Sequence, residues 1–209
     1  MRELESVLLE CEYFPCIDWY RQYLRAPNVI IEKYEYFVRK TYRNRCCVAG
    51  PNGILTLSVP LEGGRNQRAV MKDIKVSDAE DWQTLHWKTI QSAYNRSAYF
   101  EYFAERLKQI FAKRYTYLMD LNLDTLQVIN HLLAVKKEFE LTTAYQAEYE
   151  ENMNDERQTF FASKPISNAT IKYTQTFEER HGFIGGLSML DLILCTGKQA
   201  VDLLLLAEK

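Results

Sequence analysis

An α/β fold is the class this sequence predicts: a mixed sheet starting with a βαβ unit and a hairpin, with a mainly helical C-terminal half packed on it. Three observations carry the expectation. Two short apolar runs, residues 6–11 and 28–32, bracket a helical stretch over 16–25, which predicts a right-handed crossover and a parallel strand pair. Residues 40–60 alternate around Gly50-Pro51-Asn52-Gly53, the chemistry of a short hairpin loop. From residue 81 to 134 the apolar positions recur three times with helical period.

In chain order, Val7-Leu8-Leu9 reads as a strand buried on both faces, and Tyr13-Phe14-Pro15 breaks it. In parallel sheets ligands gather at the carboxyl ends of strands, which puts Glu12, Tyr13 and the residues after Glu32 at the rim of a site. The hairpin is expected as strands over 42–49 and 54–59, and another strand over 70–76 with Ile74 and Val76 inward. Ser77 or Asp78 is expected to cap a helix over 81–94 with the stripe Trp82, Leu85, Thr89, Ile90 and Ala93. Ser97 is expected to cap the next, which buries Phe100, Phe103, Leu107, Ile110 and Phe111. A third helix runs over 117–134 and carries Asn122 on its apolar side. Residues 139–142 suggest a last strand. Residues 143–176 lose all periodicity, as a mobile stretch or a functional flap does. Helices over 187–195, closed by Gly197, and 198–207 end the chain. At 209 residues this is one domain: a sheet-rich part over 1–76, a helical part over 77–135, and the flap-like segment with C-terminal helices over 136–209.

Composition excludes several classes. A net charge of −2 argues against nucleic acid as the main partner. The five cysteines show no CxxC spacing, and none pairs at ligand distance with one of the three histidines, so a metal site is not expected. They read as reduced thiols in a cytoplasmic protein, since residues 1–5 lack the basic and apolar segments of a signal peptide. The run 201–207 is too short to enter a membrane as a span.

The chemistry-bearing candidates start with Arg43 and Arg45. On an extended strand they share one face roughly 7 Å apart, near enough to grip one anion together. The alternative is an edge strand showing basic side chains to water. His86 falls in an apolar stripe, where a hydrogen-bonded core histidine is commoner than a catalyst. Asn122 must find partners, by bracing a loop or by touching a ligand, and bracing is favoured. Asp191 also falls in an apolar stripe, so it should meet a cation, a helix terminus or backbone amides.

Ordered blocks along nearly the whole chain resemble the WbqC-like protein family. They are Tyr13-Phe14-Pro15, Tyr42-Arg43-Asn44-Arg45, Leu55-Thr56-Leu57-Ser58-Val59-Pro60, His86-Trp87, Ser92-Ala93-Tyr94 and Asp120-Leu121-Asn122. Further on come Tyr173-Thr174-Gln175-Thr176-Phe177, His181-Gly182-Phe183 and Leu187-Ser188-Met189-Leu190-Asp191-Leu192. The likeness is greatest to members from the Bacteroidetes group, and it departs where many members carry Gln-Pro and this chain has Glu10-Cys11. The resemblance implies a bacterial protein of surface-polysaccharide (O-antigen) synthesis, with a nucleotide-linked sugar as ligand and small-group transfer as chemistry. On that expectation Arg43 and Arg45 hold the phosphates, with Asn44 beside them and Lys40, Arg157 or Lys164 completing the clamp. Tyr13 stacks on a base or sugar ring, His86 is the general base, and Asp191 orients it or a neighbouring arginine. No cofactor is implied, and a homodimer is left open. The alternative is a non-catalytic binding or scaffolding protein of the same pathway.

Overall fold

The structure, a computed structural model, describes residues 6–63, 68–149, 152–161 and 171–206. Strands β1 (Ser6–Glu10) and β2 (Asn28–Glu32) flank helix α1 (Ile17–Arg25) and pair in parallel, Ser6 opposite Asn28 through Glu10 opposite Glu32. The expected βαβ unit is therefore present. Val7 and Leu9 on β1, with Val29 and Ile31 on β2, join Ile17, Trp19, Tyr20 and Tyr23 of α1 in the core. Alternation then turns Leu8 and Glu10, with Ile30 and Glu32, toward the opposite face.

The hairpin β3 (Arg45–Gly50) and β4 (Gly53–Ser58) forms a separate antiparallel pair. Helices α2 (Trp82–Tyr94), α3 (Phe100–Ala112) and α4 (Leu118–Leu132) follow as the periodicity predicts. The short strands β5 (Glu140–Leu141) and β6 (Met153–Asp155) complete a parallel sheet in the order β5-β2-β1-β6. A single helical turn α5 (Glu178–His181), then α6 (Met189–Thr196) and α7 (Gln199–Leu206), close the described chain. Gly197 ends α6 at φ 62°, and a Cβ there would lie 2.5 Å from the Tyr99 ring, so only glycine fits. No helix among the described residues is long and apolar enough to cross a membrane.

Several expectations are corrected. Residues 42–44 form a 3-10 turn rather than strand, because the Thr41 side chain accepts the Arg43 N–H and caps it. Residues 70–76 are a 3-10 turn (Met71–Asp73) flanked by isolated bridges; Ile74 and Val76 are buried all the same. Asp81 caps α2, and Tyr99 precedes α3 as its N-cap residue without a side-chain cap bond. The buried residues of α2 are Trp82, His86, Ile90, Ala93 and Tyr94, which leaves Leu85 62% exposed. The aperiodic stretch over 143–176 contributes β6, which pairs with β1.

Candidate functional site

The carboxyl ends of the parallel strands carry a buried cluster of opposite charges. Arg43, 1% exposed, donates from Nε and Nη2 to the two carboxylate oxygens of Glu35, each at 2.8 Å. Its Nη2 also donates to the Arg157 carbonyl at 2.9 Å, and its Nη1 lies 3.9 Å from Glu10. Arg157 in turn grips Asp155 through Nε (2.9 Å) and Nη2 (2.5 Å) and reaches Glu32 at 3.3 Å. It donates to the Gln146 and Ala147 carbonyls, and the rings of Tyr145 and Tyr149 each lie 5.2 Å from its guanidinium carbon. Burial pushes the Asp155 carboxyl up, but the hydrogen bonds and charge of Arg157 outweigh this and leave it below its ordinary range.

Both guanidiniums are therefore consumed by carboxylates. Glu10, Glu12, Glu32 and Glu35 are all buried around them, so neither cation is left over for a further anion. Glu32 is satisfied by the Tyr34 N–H and the Thr142 hydroxyl, both at 2.7 Å. Glu10 has no hydrogen-bond partner among the described residues; burial first, then the negative charges of Glu12 and Glu35, raise its pKa well above normal against the pull of Arg43. Glu12 accepts the Cys16 N–H at 2.9 Å through one oxygen only, and burial pushes it up to about 8.

The Glu12 shift has a sign that can be measured. Below pH 4.5 the folded and unfolded chains both hold this proton; above it the unfolded chain releases it first. Stability is thus lost as pH rises toward about 8, at no more than about 1.4 kcal/mol per pH unit from this group. Glu12→Gln is expected to reduce that slope in urea unfolding curves run across this range. An unchanged slope would place the titration elsewhere.

The arginine pair expected to share an anion diverges. The 3-10 turn sends Arg43 into the buried cluster, while Arg45 opens β3 and lines a separate hollow of about 560 Å³ with Phe37, Arg39, Lys40, Asn44 and Leu61. Asn44 is pinned there by donating to the Val59 carbonyl at 2.9 Å. Lys40 bends the chain at φ 58°, the left-handed region, so that it follows Arg39 around the same rim. Among the described residues no carboxylate pairs with Arg39, Lys40 or Arg45, and the buried Nε of Arg45 has no hydrogen-bond partner.

The other expected site residues are placed elsewhere. Tyr13 is fully buried, its hydroxyl 3.0 Å from His86 Nδ1, so it has no face to offer a ligand. His86 packs against Trp82 and Phe111, and burial pushes it down to about 4 despite a backbone hydrogen bond with Ser58. It is the neutral core histidine of the two readings. Asn122 donates to the Cys11 and Arg43 carbonyls at 3.1 and 2.7 Å, the bracing role. Asp191 meets neither His86 nor an arginine; it accepts from the Tyr94 and Tyr173 hydroxyls, each at 2.5 Å, and from Gln175. Arg157 does meet Arg43, through its own carbonyl and within the acidic cluster. Lys164 lies outside the described residues.

Sequence reasoning put Glu12 and the residues after Glu32 at the rim of a site but named neither Glu10, Glu32 and Glu35 as a buried charged cluster nor Arg39. The signal for Glu10 and Glu32 was their position as last residues of two apolar strands, where the chain leaves the sheet. Among the described residues no group of three His, Cys, Asp or Glu side chains is placed to hold a metal ion. Comparison with known proteins finds no match among curated proteins or solved structures. One family model does match, over residues 11–162, and these include the buried cluster apart from Glu10, and every residue lining the basic hollow. The chain belongs to the WbqC-like protein family.

Proposed function

We propose that the protein binds a phosphorylated or nucleotide-activated sugar or acyl donor in the hollow beside β3. On this reading it serves bacterial surface-polysaccharide synthesis in the cytoplasm by holding that donor. The observation that supports the reading is the convergence of Arg39, Lys40 and Arg45 on one hollow, with no described carboxylate to neutralise them. Charge-assisted bonds of roughly 1.5–3 kcal/mol each would anchor a phosphate, and Phe37 offers an apolar surface beside it. Binding is favoured over small-group transfer because the expected base, His86, is neutral and enclosed in the core.

Thermal-shift measurements with a uridine-diphosphate sugar and with acetyl-CoA test the reading. A ligand at 100 times its Kd stabilises the folded state by about 2.7 kcal/mol. Arg45→Ala is expected to abolish the shift while leaving the unliganded melting temperature nearly unchanged, since Arg45 holds no described ion pair. If no phosphate-bearing compound stabilises the protein at millimolar concentration, the proposal fails. A shift that survives Arg45→Ala also sinks it.

A further inference from the structure

A second, larger hollow of about 700 Å³ lies at the other end of the hairpin. Its wall is assembled from Pro51 in the hairpin turn, the junction between α2 and α3, the stretch around Gln175, and Cys195 of α6. Arg45 begins β3 and Pro51 follows its end, so the two hollows stand roughly 20 Å apart along the strand. That is too far for one small ligand to occupy both.

The chemistry of this hollow differs from the first. Arg96, from the junction between α2 and α3, and Arg180, from α5, both line it, and neither pairs with a carboxylate among the described residues. Two acids precede Arg180 directly: Glu178 accepts the Gln175 N–H, and Glu179 makes no ion pair among the described residues, while Arg180 itself donates to the Pro51 carbonyl at 3.4 Å. Ser92, Asn95 and Thr174 add short polar side chains with no hydrogen-bond partner among the described residues, and partly buried Phe177 adds an aromatic face.

The wall behind these groups is fixed. Gln175, 5% exposed, donates to the Tyr173 hydroxyl, the Ile184 carbonyl and Asp191, and its oxygen accepts the Ile184 N–H at 2.8 Å. A fully satisfied buried network of this kind holds its neighbours without further ordering cost. The thiol of Cys195 is 3.6 Å from the Thr176 hydroxyl and is pushed up to about 12 by burial, so it contributes packing rather than reactivity.

We infer that this hollow is a binding site for a sugar carrying one anionic group, phosphate or carboxylate, held between Arg96 and Arg180. The two guanidiniums take the anion from either side. Ser92, Asn95 and Thr174 match ring hydroxyls, and Phe177 accepts the apolar face of the ring. The inference is independent of the donor proposal, because the two hollows share no residue.

Isothermal titration of the full chain with glucose 6-phosphate and with glucuronate tests it and separates the two anions. At least one is expected to bind with a Kd of about 1 mM or lower. Arg96→Ala and Arg180→Ala are each expected to weaken that binding about tenfold, the loss of one charge-assisted contact. Ser92→Trp, which fills the hollow from an exposed position, is expected to abolish it, and Arg45→Ala to leave it unchanged. Failure of both sugars to bind overturns the inference. So does binding indifferent to Arg96, Arg180 and Ser92, or binding lost in Arg45→Ala, which would assign the sugar to the first hollow.

Discussion

Arg43→Ala lowers the free energy of unfolding by about 3–5 kcal/mol, the cost of leaving one half of a buried ion pair uncompensated. The side chain makes two parallel bonds of 2.8 Å to Glu35, which is 5% exposed, and a third to the Arg157 carbonyl. Its loss strands the Glu35 carboxylate, removes the cation 3.9 Å from Glu10, and takes the Arg43 donor from the Arg157 carbonyl. Arg43→Lys recovers only part of the loss, because one ammonium cannot reproduce two parallel bonds. Arg43→Ala combined with Glu35→Gln recovers part by another route, since a neutral amide costs less to bury unpaired than a carboxylate. Urea denaturation followed by tryptophan fluorescence measures all three. A loss of less than about 1 kcal/mol in Arg43→Ala, the scale of an exposed pair, would contradict the buried geometry. The same variant discriminates between the two roles read for this residue. An anion-gripping Arg43 would leave a stable protein that fails to bind, whereas the structure expects the fold itself to give way.

The direction of Arg43 was not legible for a specific reason. Alternation along a strand puts residues 43 and 45 on one face, but the Thr41 cap winds residues 42–44 into a 3-10 turn and β3 starts only at Arg45. A local side-chain-to-backbone bond thus overrode a pattern that was otherwise sound. The same limit applies to β6, whose three residues pair with β1 across a long sequence interval and show no alternation of their own. Residues 70–76 misled in the opposite way: Ile74 and Val76 face inward as in a strand, yet Met71–Asp73 coils between the bridges. What was legible was local and strongly patterned. The βαβ unit followed from Val7-Leu8-Leu9 and Asn28–Glu32, and α3 and α4 from their apolar stripes. In the basic hollow Lys40, Asn44 and Arg45 were legible, but Arg39 and Phe37 come from an irregular segment that has no period to read. The pairing of the buried glutamates escaped because composition counts charges without saying which are paired, and pairing here is a tertiary event.

Asp191→Ala is the second large loss, about 3 kcal/mol or more if each buried donor left without an acceptor costs roughly 1–3 kcal/mol. Asp191 sits in the first turn of α6, where the helix dipole favours a carboxylate, so a helix terminus is one of the partners its burial demanded. The others are two tyrosine hydroxyls rather than a cation. Burial still raises its pKa, and the hydrogen bonds from Tyr173, Tyr94 and Gln175 oppose that rise. Tyr94 carries a further obligation, since its oxygen accepts the Ala49 N–H of β3 at 2.9 Å. One carboxylate thereby ties the hairpin, α2, the stretch from Tyr173 to Ile184, and α6 to a common point. Removing it should speed amide exchange at Ala49 and Ile184 together, although they lie on different elements. Tyr173→Phe should affect Ile184 more than Ala49, and Tyr94→Phe the reverse. In a double-mutant cycle, Tyr94→Phe and Tyr173→Phe are expected to couple through Asp191, because one hydroxyl alone compensates the charge less well than two. Strict additivity, or a loss below about 1 kcal/mol in Asp191→Ala, would mean that the carboxylate is reached by solvent and the network is not a unit. Because Gln175 belongs to this network and also lines the larger hollow, Asp191→Ala should loosen sugar binding there without touching the basic hollow at the opposite end of β3.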